Sequence, residues 1–103
     1  MQTIQPPYYA VIFTSVLKES QSGYHAMSAR MLDLASTQEG FIAVESAREE
    51  IGITVSYWKD LDSIRRWKAN AEHLVAQDKA KKIWYQSYFT RICKVERHYG
   101  VKL

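Results

Sequence analysis

FIAVESAREEIGITVSYWK, residues 41–59, contains two short runs rich in apolar and β-branched residues. The runs cover residues 41–48 and 53–59, and only Glu49, Glu50, Ile51 and Gly52 separate them. Runs of this length and composition are typical of β-strands. Two strands joined by so short a turn are expected to pair as an antiparallel hairpin.

Upstream of the hairpin, the sequence predicts one strand and one helix. Residues 8–17, YYAVIFTSVL, have strand composition without clean apolar–polar alternation, which indicates a strand buried on both faces. A helical repeat of apolar residues at intervals of three and four follows, and Ser22 is the expected cap at its start. Gly40 is expected to end this segment in a left-handed conformation. The repeat consists of Tyr24, Met27, Met31, Leu34 and Ala35.

Downstream of the hairpin, a second helix and a last strand are expected. Asp60 or Asp62 can cap the helix, which should continue in pieces to about residue 84, with a break near Asn70. The last strand is predicted at residues 88–97, YFTRICKVER. The apolar stripe of this helix consists of Ile64, Trp67, Ala71, Leu74 and Val75.

The element order, strand–helix–strand–strand–helix–strand, predicts an α+β domain with a ferredoxin-like βαββαβ plan. Two split βαβ units give a four-stranded antiparallel sheet with both helices on one face. At 103 residues the chain holds one such domain, with its core between about residues 8 and 100. Residues on both sides of the first strand are apolar, so the face away from the helices should also be covered. A homodimer is the simplest cover, since two-fold dimers are the commonest oligomers.

Composition argues against several classes of partner and location. The net charge is only +3, and the cationic residues are interspersed with acidic ones, which disfavours a nucleic-acid partner. No apolar stretch reaches the ~20 residues of a membrane span, and the first residues carry no signal pattern, so we expect a cytoplasmic protein. The single cysteine, Cys93, can form neither an internal disulfide nor a metal site alone, and we expect it to be a small buried apolar residue.

Several longer stretches resemble the antibiotic biosynthesis monooxygenase family, in particular an uncharacterised bacterial branch of it. They are GFIAVESAREE, GITVSYWKD, IRRWKANAEHLVAQ and WYQSYFTRICKVERHYG, within residues 8–100. The most specific pieces are residues 52–60, GITVSYWKD, and 67–73, WKANAEH. The resemblance implies a dimeric α/β barrel in which two ferredoxin-like sheets close face to face. It also implies a pocket between the sheet and the helices of one subunit.

The family resemblance implies a range of activities. Some members are cofactor-free oxygenases that convert aromatic phenols to quinones, some oxidise or reduce small quinones, and some bind and open haem. The haem-degrading pattern has an Asn on the first strand, a Trp in the second helical region and a His ten residues later. Trp67 fits, but Gln77 stands at the His position and the only Asn is Asn70, so haem degradation is the least supported activity.

His73 is the candidate catalytic residue, because a neutral imidazole can accept a phenol proton near pH 7. On one continuous helix, His73 would lie opposite Ile64 and off the apolar stripe. It reaches the pocket only if the helix breaks near Asn70. The competing interpretation is an exposed or capping histidine.

Trp67, Tyr57, Met27, Met31 and Arg91 are the candidate substrate-binding residues. Each has a structural alternative: core packing for Trp67 and the two methionines, and a structural hydrogen bond for Tyr57. Arg91 lies within a strand that looks buried, where a charge needs a partner, and Glu45 is a candidate partner within the chain or across the dimer.

The sequence therefore predicts a cofactor-independent monooxygenase or oxidoreductase acting on a small aromatic or quinone-like molecule. The alternative is a non-catalytic dimer that binds or senses a small ligand. The third hypothesis is a haem-binding protein that uses His73. None of the three histidines lies near a cysteine or carboxylate at a spacing typical of zinc, so no metal site is expected.

Overall fold

The computed structural model describes residues 4–19, 22–78 and 84–101, and the side chains of residues 73–78 lie outside the described part. The elements are β1 (Tyr8–Leu17), α1 (Tyr24–Ser36), β2 (Phe41–Arg48), β3 (Gly52–Trp58), α2 (Leu61–Asp78) and β4 (Tyr85–Val95). This is the βαββαβ order that the sequence predicts. No helix among the described residues combines the length and apolar character that a membrane crossing requires.

The four strands form one antiparallel sheet in the order β2-β3-β1-β4. The hairpin strands β2 and β3 are neighbours, and β1 lies between β3 and β4, as the split βαβ plan requires. The predicted ferredoxin-like fold is therefore confirmed. β4 begins at Tyr85 and not at residue 88, because Tyr85 pairs with Leu17 beyond a register shift at the end of β1. The helical continuation predicted for residues 79–83 lies outside the described residues.

Trp58 at the end of β3 anchors the helices to the sheet. Its side chain is 0% exposed and forms the core with Ala35 of α1 and Ile64 of α2. The indole Nε1 donates a hydrogen bond to Ser56 Oγ at 2.9 Å, so the one polar atom of the ring is satisfied inside the core. Trp67 stacks on Trp58 with ring centroids 5.9 Å apart. Burial of these rings joins both helices to the inner face of the sheet.

The two helices differ in whether a side chain caps the free N–H groups of the first turn. α1 begins after Gly23, which is left-handed with φ 81°, and no side chain caps it, so the predicted Ser22 cap is wrong. α2 begins as predicted, because Asp60 Oδ1 accepts hydrogen bonds from Ser63 N at 2.8 Å and Ser63 Oγ at 2.7 Å. The bonds from the Ser63 hydroxyl and then its N–H lower the pKa of Asp60.

The break predicted near Asn70 is wrong, because α2 is one unbroken helix from Leu61 to Asp78. Asn70 instead uses its side-chain amide to donate a hydrogen bond to Gln38 Oε1 at 3.0 Å. This bond ties the exposed side of α2 to the segment after α1, and the backbone of α2 stays helical.

Gly40 permits the close approach of the α1–β2 segment to the start of α2. Its φ of 88° is left-handed, as the sequence predicts, and a Cβ at this position would overlap the Ser63 side chain. Lys59 N also donates a hydrogen bond to Gly40 O at 2.7 Å, which holds the two segments together.

We expect Gly40→Ala to lower the free energy of unfolding by about 1–3 kcal/mol, because it adds backbone strain and displaces Ser63 from its contact with Asp60. Urea denaturation followed by tryptophan fluorescence measures this change. Gly100→Ala is the matched control, since nothing lies within 4 Å of a Cβ there. Equal midpoints for the two variants would contradict the role given to Gly40.

Candidate functional site

A cavity of about 570 Å³ lies between the two helices and the inner face of the sheet. Pockets of about 300–1,000 Å³ at such positions are typical of small-molecule sites. Its floor is made by alternate residues of three strands, because side chains at positions i and i+2 of a strand share a face. These floor residues are Val11, Phe13, Thr54, Ser56, Thr90 and Ile92, and Val44 of the fourth strand, β2, lies beside Ser56. The floor is therefore apolar with a few hydroxyl groups.

The helices supply the walls, through residues spaced three and four apart. Met27 and Met31 come from successive turns of α1, and Trp67 comes from α2. Met27 is buried, while Met31 and Trp67 are half-buried beside the open space. The structure therefore brings together three of the residues singled out in the sequence. Their role in binding a substrate stays a prediction.

Tyr57 does not line this cavity, because it points away from Trp58 to the outer face of the sheet, the face without helices. Its hydroxyl donates a hydrogen bond to Glu45 Oε1 at 2.8 Å. This bond, followed by burial and the negative charge of Glu45, raises the pKa of Tyr57 to about 12. The structural alternative, a hydrogen-bonded tyrosine, is thus the arrangement found.

Arg91 also lies on the outer face, where its guanidinium carbon is 5.3 Å from the centre of the Phe89 ring. Within one chain it cannot pair with Glu45, because Glu45 is on β2 and Arg91 on β4, at opposite edges of the sheet. Three strand spacings of about 4.8 Å separate the two edges. Cys93, two residues further on, is exposed and not buried as predicted, since the outer face of the chain is uncovered.

His73 lies in the backbone of α2, but its side chain is outside the described residues, so its catalytic role stays a prediction. Its neighbour Glu72 does line the cavity, together with Lys68 one turn earlier. Lys68 Nζ and a Glu72 carboxylate oxygen are 3.8 Å apart, and the side chains are 69% and 62% exposed. This charged pair therefore sits at the open rim of the cavity.

One end of the cavity is an aromatic cluster that sequence reasoning missed. Phe13, Tyr24, Trp84, Tyr85 and Tyr88 all line it, with neighbouring ring centroids 5.4–5.9 Å apart. The signal is the run WYQSY at residues 84–88, in which the sequence predicts helix to about residue 84 and strand only from residue 88. Burial raises the pKa of Tyr85, and so do the charge and hydrogen bond of Tyr24.

The described residues contain no group of three or more His, Cys, Asp or Glu side chains arranged to hold a metal ion. The polar groups that the described lining offers a ligand are therefore hydroxyls from serine, threonine and tyrosine, together with the Lys68–Glu72 pair. Such a lining can bind a flat, mostly apolar molecule that carries a small number of oxygen atoms.

Comparison with known proteins connects this cavity to a family. The chain is 49% identical over 98 residues to the uncharacterized protein YqjZ of Bacillus subtilis, covering 93% of this chain and 86% of that protein. Its fold is similar to that of SnoaB, a cofactor-independent oxygenase from Streptomyces nogalater, with a TM-score of 0.73 and 15% identity, over 88% of this chain and 95% of SnoaB. It is also similar to protein SO0527 from Shewanella oneidensis, with a TM-score of 0.74 and 13% identity, over 90% and 95% of the two chains.

The two structural neighbours share too little sequence with this chain to show more than a common fold. The family model described as antibiotic biosynthesis monooxygenase, however, matches residues 7–79, which include both helices and the hairpin. With that match, and with the ferredoxin-like fold and cavity described above, the chain belongs to the antibiotic biosynthesis monooxygenase family.

Proposed function

We propose that this protein is a cofactor-independent monooxygenase that acts on a small aromatic or quinone-like molecule. The observation that carries the proposal is the cavity of about 570 Å³ bounded by Trp67, Met27, Met31 and the aromatic cluster. Flat aromatic faces and adaptable methionines suit a planar apolar substrate. Membership of the family and the fold shared with an oxygenase support the same reaction class.

The reaction needs only the phenol, molecular oxygen and a proton acceptor. Removal of the phenolic proton gives a phenolate, which transfers one electron to oxygen and gives a phenoxyl radical and superoxide. Their combination at a ring carbon forms a peroxide, which loses water to give the quinone. The phenol is oxidised and oxygen is reduced, with one oxygen atom in the quinone and the other in water.

Two adjacent residues of α2 are candidates for the proton acceptor. His73 is the candidate from the sequence, and its role was tied to a break in α2 that does not occur. Glu72 is the carboxylate that the structure places on the cavity wall. A base must come within hydrogen-bond reach of the phenolic oxygen, which a substitution at each position tests separately.

The second candidate function is a dimer that binds or senses a small ligand without turnover. It is favoured by the position of Glu72, which is 62% exposed and already paired with Lys68. A carboxylate that is exposed to water and already paired with a lysine is not held in place to accept a phenolic proton.

We also propose that the protein is a homodimer joined through the outer face of the sheet. Ile53 and Phe89 on this face are 45% and 63% exposed, and Cys93 is exposed beside them. Ile12 and Val55, both half-buried, pair with each other and continue the same apolar surface across β1 and β3. An apolar sheet face of this extent is typical of a protein interaction surface.

Oxygen uptake with a panel of naphthols and anthrone tests the enzyme proposal. We expect uptake by the unmodified protein, and a fall in kcat of at least about 100-fold in whichever of Glu72→Gln or His73→Ala removes the base, as for other general bases. Glu39→Gln and His98→Ala are the matched controls, because Glu39 is exposed after α1 and His98 contacts Tyr8 away from the cavity.

Binding of the same panel without oxygen separates the two candidate functions. Ligands that bind but are never consumed would replace the oxygenase with the binding protein. A Soret band on titration with haem would instead support the haem-binding alternative.

Sedimentation velocity tests the dimer. We expect Ile53→Glu to convert the dimer to monomers at micromolar concentration, because it buries an unpaired carboxylate in the outer-face interface. Ile51→Glu is the control, since Ile51 is 57% exposed in the turn between β2 and β3. A monomeric unmodified protein, or an Ile53→Glu dimer of unchanged affinity, would contradict the proposed interface.

A further inference from the structure

The Arg48 side chain crosses the sheet beneath the aromatic end of the cavity. It starts on β2, passes over Gly52 of β3 and reaches Ser15 of β1, three residues that lie in one row across the sheet. Arg48 Nη2 donates a hydrogen bond to Ser15 Oγ, and Nη1 donates to Ser15 O at 3.4 Å. Ser15 is 2% exposed, so the guanidinium is held at a buried point of the inner face.

Gly52 makes this crossing possible because it has no side chain. A Cβ at Gly52 would overlap the Arg48 guanidinium. The sequence predicts Gly52 in the turn between the two hairpin strands, but in the structure Gly52 is the first residue of β3. Gly52 is therefore needed for the path of Arg48.

The positive charge of Arg48 has no counter-ion in the described part of the chain. No carboxylate there lies within salt-bridge distance of the guanidinium, which is half-buried. Its contacts are neutral, namely Ser15 and the ring and hydroxyl of Tyr24. A partly desolvated cation without an anion creates a positive potential in its surroundings, here at the aromatic end of the cavity.

Tyr24 connects this charge to the cavity. Arg48 Nη2 donates to the Tyr24 hydroxyl oxygen at 3.4 Å, and the guanidinium carbon is 5.6 Å from the ring centre. The Tyr24 oxygen accepts from Arg48 and from the Tyr85 hydroxyl, so the Tyr24 hydrogen is left to be donated to another acceptor. The Tyr24 and Tyr85 rings both line the cavity, with centroids 5.9 Å apart.

We infer that the Arg48–Tyr24–Tyr85 end of the cavity binds the negatively charged oxygen of a phenolate or enolate ligand. The Tyr24 hydroxyl donates a hydrogen bond to that oxygen, and Arg48 stabilises its charge through Tyr24. Arg48 is a positioning residue, because it does not itself line the cavity. The inference rests on the aromatic ligand class of the proposed function. It adds the orientation of the ligand, whose charged oxygen points toward Tyr24. An organic cation, which an aromatic cluster can also attract, is disfavoured by the charge of Arg48.

The test compares two probes of similar shape, 4-nitro-1-naphthol and its methyl ether, in titrations without oxygen at a pH where the naphthol is ionised. We expect the unmodified protein to prefer the naphtholate, and Arg48→Met to reduce the ratio of the two dissociation constants by about tenfold or more, since the lost interaction is with a charged oxygen. Tyr24→Phe should reduce the same ratio, because it keeps the ring and removes the donor. Affinity for the ether should not change.

Gly52→Ala tests the position of the Arg48 guanidinium in a variant that still contains Arg48. It keeps the charge of the chain and displaces the guanidinium, so we expect it to lower the ratio as Arg48→Met does. Arg30→Met, on the exposed side of α1, and Gly100→Ala are the matched controls and should keep the unmodified ratio. If Arg48→Met no longer binds the ether, the substitution has disrupted the cavity itself. The ratios of dissociation constants measured for Gly52→Ala and Tyr24→Phe then test the inference.

An unchanged ratio in Gly52→Ala and Tyr24→Phe would overturn the inference. If neither probe binds the unmodified protein, the aromatic ligand class fails, and the inference fails with it. If the ratio behaves as expected but no phenol is consumed under oxygen, the oxyanion site stands and only the oxygenase reaction falls.

Discussion

The inward direction of Trp58 determines the arrangement of the rest of the molecule. Because side chains alternate along a strand, burying Trp58 against the helices also turns Ser56, Thr54 and Gly52 toward them. The same alternation sends Tyr57, Val55 and Ile53 to the outer face. A shift of one residue would exchange every one of these side chains between the cavity and the outer face. The indole Nε1 of Trp58 donates its hydrogen bond to Ser56, which also faces inward. Trp58 can therefore be buried without leaving its polar atom unpaired.

The cavity exists because small side chains stand between large ones on the inner face. Trp58 fills one end and the aromatic cluster fills the other, while Thr54 and Ser56 leave the space between them open. The helices line this space with Met27, Met31 and Trp67, and Trp67 also packs against the core around Trp58. The core and the cavity lining are thus built from the same residue types. A residue belongs to one or the other according to its position along the strand.

Charges divide between the two faces in a way that matters for function. Glu45 and Arg91 lie on the outer face, at opposite edges of the sheet, and each contacts an aromatic ring or hydroxyl of its own face. Arg48 lies on the inner face, next to the cavity, with neutral partners. Arg48 therefore puts a positive charge beside the aromatic end of the cavity, while Lys68 and Glu72 pair with each other at its open rim.

Local sequence patterns were sufficient for the elements and their order, because apolar periodicity and turn residues depend on neighbours in the chain. β1 and β2 have the predicted bounds, Asp60 caps α2, and Gly40 is left-handed. The helical stripes alone predicted that Met27, Met31 and Trp67 face the sheet, and the pocket itself was implied by the family resemblance. Family membership could also be read from the hairpin and the residues around Trp67, since it depends on the order of residue types along the chain.

What depended on packing could not be read in this way. Alternation shows that Tyr57 and Trp58 point to opposite faces, but only the helices packed on one face decide which of them is inside. α2 continues unbroken through Asn70, whose side chain bonds to Gln38, and the crossing of Arg48 over Gly52 joins three strands. These contacts link residues far apart in the chain, and their energies depend on the spacing of the strands and helices, which no local pattern contains.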